Sequence, residues 1–431
     1  MICDNITVNN EGHIEFAGHD IATLAKKYGT PLYLMDEQRI RQNCRTYFNA
    51  MRDNFGDNFR VLYASKANSF KKIYNIIAEE GLFADVVSSG EIYTALKSGF
   101  PLKNAYFHCN NKTDFDIRFA IENGVGYFVV DGIDELYAVN DISEAMDHCQ
   151  NILLRLTPGI DTHTYEAVNT GKVDSKFGTA IETGQAEKLV QYALKLKNIK
   201  LCGFHCHIGS MVFDSDTFIR GAEIMLNFVK EIKDKFNFIT EQLDLGGGYG
   251  VRYTENDPHI DIPANISEVA YFLKEKTEKL GIDLPKILME PGRSIVADAG
   301  MTVYTVGSVK EITGYKNYIS VDGGMSDNPR YALYGSQYTV FLANKMNRKC
   351  DFTCDLVGRC CESGDIIQPN ITLPKAVRGD IVAVCTTGAY NYSMAMNYNR
   401  IARPPIVMLN GDKNYIAVRR ETLDDIISND L

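Results

Sequence analysis

A lysine, Lys66, follows the short apolar run Phe59–Tyr63 and is the first candidate for chemistry in the sequence. A lysine side chain that is withdrawn from water has a lowered pKa, and its free amine can then form a Schiff base with a carbonyl compound. A solvated lysine in a loop is the alternative interpretation. Lys66 therefore needs supporting groups nearby before a covalent role can be assigned to it.

Two histidines, His205 and His207, lie at the end of the apolar run Lys200–His207. If the strand continues through both residues, the two rings lie on the same side of it. Two histidines without a third ligand nearby make a weak zinc site. One ring could instead stack on a planar cofactor, and a histidine buried in the core is a further alternative.

The segment DLGGGYG at residues 244–250 contains the glycine run Gly246–Gly248. Backbone N–H groups in such a run can hold a phosphate. The dinucleotide spacing G-x-G-x-x-G is not met because Val251 occupies its last position, and no G-x-x-x-x-G-K-[ST] occurs. The pattern predicts a phosphate site that is neither a dinucleotide fold nor a P-loop.

A carboxylate, Glu290, follows the apolar run Lys286–Met289 and precedes the turn Pro291-Gly292-Arg293. A carboxylate in this place can keep a heteroaromatic ring nitrogen protonated. A Schiff-base lysine, a phosphate cradle, a stacking histidine and such a carboxylate together meet the needs of pyridoxal 5'-phosphate. We therefore predict this cofactor and no metal ion.

Strands that alternate with helices must position these groups. Eight apolar or β-branched runs recur over about 230 residues, each followed by a helical pattern. The runs are Phe59–Tyr63, Phe83–Val87, Ala105–His108, Tyr127–Val130, Ile152–Leu156, Lys200–His207, Gln242–Leu245 and Lys286–Met289. Such alternation predicts a parallel (β/α)8 TIM barrel, whose active site lies at the C-terminal ends of the strands, with a doubly wound sheet as the competitor.

The pattern changes near residue 297 to short alternating runs separated by turns such as Asn410-Gly411-Asp412. This predicts an antiparallel β domain, a barrel or a sandwich. The runs Ile6–Val8 and Ile14–Phe16 predict a hairpin at the start of the chain. We expect a cofactor-binding barrel at residues 36–296, and a second β domain formed by residues 1–35 together with 297–431.

Composition excludes several classes of protein. The 431 residues include 45 basic and 55 acidic side chains, for a net charge of −10, and the basic residues are not clustered, so nucleic-acid binding is not expected. The sequence contains no run of 18 apolar residues, so no membrane span is predicted, and its start has no signal-peptide pattern. Eleven cysteines without C-x-x-C spacing indicate a reducing compartment, and we expect a cytoplasmic protein.

The sequence resembles the fold-type III, alanine-racemase-like decarboxylases that use pyridoxal 5'-phosphate, and within them the branch that acts on diaminopimelate. The resemblance covers nearly the whole chain. The matching blocks are YASKAN (63–68), TGKVDSKFG (170–178), HCHIGS (205–210), DLGGGYG (244–250), EPGR (290–293), DGGMSDNPRYALYG (322–335), CESGD (361–365) and GAYNYSMAMNYN (388–399). It implies a barrel plus a β domain, in a homodimer with shared active sites.

The resemblance also implies roles for the residues at the predicted strand ends. Lys66 would form the Schiff base, His207 would stack on the cofactor ring, and Glu290 would pair with the pyridine nitrogen. The phosphate site would be formed by Ser210, Gly247, Gly248, Gly292 and Arg293. Asp85 and Tyr390 would also contact the cofactor.

The same resemblance implies a substrate site. Arg293, Arg330 and Tyr334 would hold substrate carboxylates, since an arginine fork binds a carboxylate bidentately. Cys361 and Glu362 would enter from the neighbouring subunit, and Tyr390 would close the site. Whether Cys361 or Lys66 returns the final proton stays open. The unpatterned stretch 159–179 is predicted to be a lid or an interface segment.

The implied reaction is decarboxylation of meso-2,6-diaminopimelate to L-lysine and carbon dioxide, the last step of lysine biosynthesis. An ornithine or arginine decarboxylase of the same fold is disfavoured by Arg330, because those substrates lack a second carboxylate. An amino-acid racemase is disfavoured by Glu290. A non-catalytic regulatory paralogue would be expected to have lost Lys66 or Cys361, and both are present.

Overall fold

The computed structural model describes residues 1–160 and 175–431, which form two compact units. The barrel unit comprises Asn43–Gly250 and His259–Ser294. The sheet unit comprises Met1–Gln42, Val251–Pro258 and Ile295–Leu431. Most of the stretch predicted to be a lid or interface segment, and half of the TGKVDSKFG block, lie outside the described residues.

The N-terminal segment begins with the predicted hairpin. Its strands and helices are β1 (Ile6–Val8), β2 (Ile14–Phe16), β3 (His19–Asp20), α1 (Ile21–Tyr28), β4 (Leu32–Asp36) and α2 (Glu37–Phe55). β1 and β2 pair antiparallel, with Ile6 opposite Phe16. Asp20 caps α1, because its carboxylate accepts the backbone N–H of Thr23 at 3.1 Å.

The barrel unit follows the predicted alternation. Its strands are β5 (Phe59–Ala64), β6 (Phe83–Val86), β7 (Ala105–Phe107), β8 (Tyr127–Val130), β9 (Gln150–Thr157), β10 (Thr179–Ala180), β11 (Ile199–His205), β12 (Gln242–Asp244) and β13 (Lys286–Met289). Its helices are α3 (Lys71–Glu79), α4 (Ser89–Ser98), α5 (Asp114–Glu122), α6 (Ile133–Ala145), α7 (Gln185–Ala193), α8 (Asp216–Phe236) and α9 (Ile262–Leu280).

Eight of these strands close into a ring. The order runs β9-β11-β12-β13-β5-β6-β7-β8, and β8 then pairs with β9. The short β10 pairs alongside the C-terminal end of β9. All of these pairs are parallel. The predicted TIM barrel is confirmed, and the doubly wound alternative is wrong because the two edge strands of an open sheet would not pair with each other.

Apolar side chains fill the interior of the barrel. One buried cluster takes a residue from each of six strands: Leu62, Tyr106, Val129, Leu153, Cys202 and Leu288. The hydroxyl of Tyr106, in this cluster, donates to Oε1 of Gln242 at 2.6 Å. Because the middle of the barrel is packed, polar side chains at the C-terminal ends of the strands gather at one rim.

The sheet unit is built on a nine-stranded sheet. Its further elements are α10 (Arg293–Val296), β14 (Gly300–Ile312), β15 (Lys316–Val321), α11 (Arg330–Tyr334), β16 (Val340–Leu342), β17 (Phe352–Val357), β18 (Ile366–Leu373), β19 (Ile381–Cys385), β20 (Ile406–Asn410), β21 (Lys413–Val418) and α12 (Leu423–Ile427). The strand order is β18-β17-β15-β14-β4-β20-β21, with β19 joined to β14 and β16.

Most pairs in this sheet are antiparallel, as predicted, but two are parallel. β15 pairs parallel with β17, and β4 pairs parallel with β20. Long connections return the chain to the same end of the sheet in both cases, which a hairpin pattern cannot reveal. β4 lies between β14 and β20, so the N-terminal segment contributes a central strand. No helix in residues 1–160 or 175–431 has the length and apolarity needed to cross a membrane.

Candidate active site at the barrel rim and in the sheet unit

Lys66 lies on a tight turn at the end of β5. The 3-10 turn Ser65–Ala67 follows the strand, and the side chain of Lys66 is exposed while its two neighbours are buried. The hydroxyl of Tyr63 donates to the carbonyl oxygen of Asn68 at 2.8 Å, which fixes the turn. The neighbouring strand is β13, and the backbone N–H of Ala64 donates to Pro291 at 3.0 Å. Lys66 and Glu290 therefore follow paired strands at the same rim.

Glu290 is buried between two histidines. Nε2 of His205 lies 3.2 Å from Oε2 of Glu290 and forms a hydrogen bond with it. Nε2 of His108 lies 2.7 Å from Oε1, in a close polar contact that is not aligned as a hydrogen bond. The two rings meet edge to face, with centroids 4.8 Å apart. Three strand ends, those of β7, β11 and β13, thus converge on one carboxylate.

Two further carboxylates are buried at this rim. Asp85, in β6, has Oδ1 at 3.7 Å from Nε2 of His108, and Asp244 ends β12 and accepts the N–H of Gly246 at 2.8 Å. Burial raises the pKa of Asp85 against the opposing effect of His108. Burial, reinforced by Glu290, raises the pKa of Asp244 well above its usual value.

The pKa of Glu290 shifts in the opposite direction. Burial opposes its charge, but His108 and His205 outweigh burial and hold the pKa of Glu290 well below its usual range. Burial lowers the pKa of His205 to about 4, so that ring is neutral near pH 7. The two histidines thus favour the charged form of Glu290, whereas burial favours the neutral forms of Asp85 and Asp244.

His207 lies beyond the end of β11 and is half-buried. The strand that would place His205 and His207 on one side ends at His205, so the condition for that alignment is not met. Gly246 permits the close approach of the two segments, since a Cβ on it would lie 2.9 Å from Nδ1 of His207. Burial, together with the charges of Lys66 and Arg155, lowers the pKa of His207 well below its usual value, which leaves a neutral ring.

The predicted phosphate site consists of backbone segments in close contact. A Cβ on Gly247 would overlap the carbonyl oxygen of Glu290, and a Cβ on Gly248 would overlap that of Gly209. A Cβ on Gly292 would lie 2.9 Å from Cβ of Ala64. These positions accept only glycine without a shift of the rim. Beside them, the guanidinium of Arg293 donates to the hydroxyl of Ser210 at 3.1 Å.

The residues at the rim fit pyridoxal 5'-phosphate. Oε1 of Glu290 is buried, and within the described residues it has no aligned hydrogen bond, so it can accept one from a protonated ring nitrogen. The glycine segments form a side-chain-free cradle of the kind that holds a phosphate. Lys66 offers an amine on a turn at the same rim.

The sheet unit contains the second group of predicted residues. Arg330 begins α11 and is buried, and its guanidinium carbon lies 5.2 Å from the ring centre of Tyr334 and 5.1 Å from that of Tyr390. Aromatic rings that pack against the face of a guanidinium leave the N–H groups at its edge available to a carboxylate. The structure thus brings together three of the residues predicted to contact substrate or cofactor.

Cys361 and Glu362 are both exposed, whereas the adjacent Cys360 is buried. The backbone N–H of Cys361 donates to Oδ1 of Asn399 at 2.7 Å, and that of Cys360 donates to Oδ2 of Asp365 at 2.7 Å. The loop is therefore anchored by its backbone while the side chains of Cys361 and Glu362 face outward.

Sequence reasoning missed His108, Asp244 and Asp365 as site residues and left His205 undecided. His108 directly follows β7, and Asp244 and His205 are the last residues of their strands. A search for every polar residue at a predicted strand end would have found these three. No local signal identifies Asp365 as a link between two loops, because one of its partners, Met325, is 40 residues away in the sequence.

Comparisons with known proteins agree on one family. A family model described as pyridoxal-dependent decarboxylase, pyridoxal binding domain, matches residues 38–297. The chain is 44% identical to the diaminopimelate decarboxylase of Bacillus subtilis, over 98% of this chain and 96% of that protein. It is 42% identical to that of Staphylococcus aureus, over 99% of both. The structure of diaminopimelate decarboxylase from M. jannaschii in complex with L-lysine has a TM-score of 0.92 at 33% identity, covering 99% of this chain and 98% of that one.

Proposed function

The chain belongs to the diaminopimelate decarboxylases, a family of pyridoxal-dependent decarboxylases, and we propose that it converts meso-2,6-diaminopimelate to L-lysine and carbon dioxide, the last step of lysine biosynthesis. The observation that carries the proposal is that Lys66 and Glu290 follow paired strands at one rim of the barrel. Pyridoxal 5'-phosphate, when bound, supplies the electron sink for the electrons of the bond to the departing carboxylate.

We propose that Lys66 is the amine that holds the cofactor covalently and is displaced by the substrate amine at the D-configured centre. The turn that presents the Lys66 side chain, and the neutral ring of His207 nearby, support this role. His207 would stack on the cofactor ring. The charged carboxylate of Glu290 would keep a proton on the ring nitrogen, which strengthens electron withdrawal.

The remaining cofactor contacts are proposed at the same rim. Glycine positions that tolerate no Cβ and the contact between Arg293 and Ser210 support a phosphate cradle. Asp85 and Tyr390 are proposed as further cofactor contacts. The proposed phosphate-binding residues are Ser210, Gly247, Gly248, Gly292 and Arg293.

Substrate recognition is assigned to arginine and tyrosine side chains. Arg330, buried against the rings of Tyr334 and Tyr390, would form paired hydrogen bonds with the carboxylate that stays on the product. Arg293 and Tyr334 would contribute to holding the substrate carboxylates. A buried guanidinium left without its carboxylate is costly, so ornithine and arginine should be poor substrates.

We propose a homodimer in which Cys361 and Glu362 enter the active site of the second copy. The exposure of both side chains on an anchored loop supports this arrangement. Mutual exchange of one loop implies a closed two-fold dimer. Cys361 or Lys66 would return a proton to the carbon that loses its carboxylate, and Glu362 would face the distal ammonium group.

A mixing experiment tests the shared site. Lys66→Ala and Cys361→Ala homodimers are each expected to be inactive, and an equal mixture that exchanges subunits should recover about a quarter of wild-type activity, because half of the dimers then hold one intact site of two. Differently tagged subunits verify that exchange has occurred. If the exchanged mixture is still inactive, the shared site is contradicted. Light scattering measures the dimer itself.

Residues 36–296 are proposed as the cofactor-binding domain, and residues 1–35 with 297–431 as the second domain. The family match to residues 38–297 and the pairing of β4 with β14 and β20 support this division, although the compact units place residues 36–42, 251–258 and 295–296 in the sheet unit. A cytoplasmic location is proposed as well. An odd number of cysteines without disulfide or zinc spacing supports it.

The function is tested by measuring lysine and carbon dioxide released from meso-diaminopimelate with added pyridoxal 5'-phosphate. L,L-diaminopimelate, ornithine and arginine run in parallel, and Lys66→Ala is the control. We expect release from the meso isomer alone and a loss of at least about 10³-fold in the control, as when a covalent nucleophile is removed. Release from ornithine or arginine instead would contradict the role of Arg330. A bound cofactor with no turnover of any of the four compounds would favour the regulatory paralogue.

A further inference from the structure

Three buried carboxylates share the rim of the barrel. Asp85 is 1% exposed, Asp244 is 0% exposed and Glu290 is 6% exposed. Carboxylates that are buried close together cannot all carry a charge, because each ion lacks water and repels the others. Something must therefore decide which of the three is ionised.

Two histidines contact one of these carboxylates more closely than the others. His205 donates to Oε2 of Glu290 at 3.2 Å, and Nε2 of His108 lies 2.7 Å from Oε1. The same nitrogen of His108 lies 3.7 Å from Asp85, a full ångström farther than from Glu290. Each oxygen of Glu290 thus has its own imidazole.

We propose that His108 and His205 are positioning residues that make Glu290, rather than Asp85 or Asp244, the charged carboxylate of the rim and hold it in place for the cofactor ring. The inference rests on the proposed function, because it concerns the group assigned to the ring nitrogen. A charged, fixed carboxylate keeps the proton on that nitrogen, whereas a protonated one could not accept it.

The other charged and titratable groups around the cluster agree with this assignment. Lys66, Arg155 and His207 also face it. The pKa of Asp85 and that of Asp244 are both raised by burial, while that of Glu290 is held low by the two histidines against burial. Asp85 and Asp244 are thereby the members of the cluster that can stay neutral.

A metal ion is the competing interpretation of the same three side chains. The ligand atoms of His108, His205 and Glu290 all lie within 4.8 Å of one another. In the structure, however, the imidazole nitrogens contact the carboxylate oxygens directly, and a ring nitrogen that donates its N–H to a carboxylate has no lone pair to offer a metal ion. The direct contacts favour the positioning role, and metal binding becomes an outcome of the test.

The test compares side chains that keep or lose the N–H donor. His108→Gln and His205→Gln retain a donor, whereas His108→Leu and His205→Leu do not. The absorption spectrum of bound pyridoxal 5'-phosphate is recorded from pH 6 to 9, and the cofactor Kd is measured on the apoenzyme. We expect each Leu variant to weaken cofactor binding at least about tenfold and to shift the pH profile of the spectrum, and each Gln variant to stay within about threefold of wild type.

Two controls separate this effect from general damage. His148→Leu removes a histidine of the same barrel that contacts Gln150 instead, at 3.0 Å, and should leave the spectrum and Kd unchanged. Asp53→Asn replaces an exposed aspartate of the barrel unit away from the rim, and should leave the pH profile of the spectrum unchanged. Thermal unfolding of each variant verifies that it is folded.

Three results would overturn the proposal. They are Leu variants with the wild-type spectrum and Kd, folded Gln variants as defective as the Leu variants, or one equivalent of zinc bound by the apoenzyme and lost in His205→Leu. None of these measurements uses substrate, so they stand even if the enzyme acts on another amino acid. Failure to decarboxylate diaminopimelate would refute the proposed function and leave this inference intact.

Discussion

The carboxylate of Asp365 accepts the backbone N–H of Met325 at 2.6 Å through Oδ1. Its other oxygen accepts the N–H of Cys360 at 2.7 Å, and the N–H of Arg359 donates to the carbonyl of Gly323 at 2.9 Å. One buried side chain thus joins the loop that leads to Arg330 with the loop that carries Cys361 and Glu362. The relative position of the proposed substrate contacts depends on it.

Replacing Asp365 with Asn should loosen both loops. The amide can accept from one N–H but presents its own NH2 group to the other, which leaves a buried donor unpaired. We expect a loss of about 1–3 kcal/mol in the free energy of unfolding and a higher KM for diaminopimelate, with the cofactor Kd unchanged. Asp351→Asn, at an exposed aspartate of the same unit, is the control for both measurements. An unchanged KM and stability would contradict the joining role.

Arg330 should determine the preference for a substrate with two carboxylates. Arg330→Met keeps the apolar contact with the rings of Tyr334 and Tyr390 but removes the fork. We expect kcat/KM for diaminopimelate to fall about 10- to 150-fold, as for loss of a charge-assisted hydrogen bond worth about 1.5–3 kcal/mol. The ratio of ornithine to diaminopimelate turnover should rise. Arg348→Met on the surface is the control. A fall that is equal for both substrates would refute carboxylate recognition.

Gly247 offers a steric test of the cofactor cradle. A Cβ there would overlap the carbonyl oxygen of Glu290, so Gly247→Ala must displace the backbone that bears this residue. We expect a loss of cofactor affinity of at least about tenfold, measured by equilibrium binding. Gly132→Ala adds the same methyl group where no atom lies within 4 Å, and neither glycine has a left-handed φ. Equal affinity in the two variants would show that the cradle does not require Gly247.

Asp327 should make stability depend on pH. Its carboxylate accepts the hydroxyl of Tyr304 and the N–H of Gly324, and burial raises its pKa to about 7. A raised folded-state pKa means that the native state binds a proton between pH 4 and 7 that the unfolded chain has released. The stabilisation is therefore complete below pH 4 and is lost as the pH rises through 7.

Urea unfolding of wild type and Asp327→Asn from pH 4 to 8 measures this effect, since other titrating groups cancel in the difference. We expect the variant to gain about 4 kcal/mol relative to wild type across that range, from a shift of about three pKa units. Asp53→Asn, at an exposed aspartate, serves as the control. A difference that does not change with pH would mean that Asp327 is ionised throughout.

The sequence by itself determined the parts that depend on local pattern. The apolar and β-branched runs placed the eight barrel strands to within two residues at every boundary, since the composition of a buried strand is written into neighbouring residues. It also determined which polar residues stand directly after each strand. Because parallel strands end at one rim, Lys66 and Glu290 could be assigned to a common site without coordinates.

Only the tertiary structure decided the relationships between distant segments. The closure of the barrel by β5 and β13, the insertion of β4 between β14 and β20, and the contact of Asp365 with Met325 depend on pairing that local patterns do not encode. Which of three buried carboxylates carries the charge is likewise decided by burial and by histidines from other strands. The strand pairings and the charge state of the carboxylates both arise from packing, because desolvation and contact distances are set only when the chain has folded.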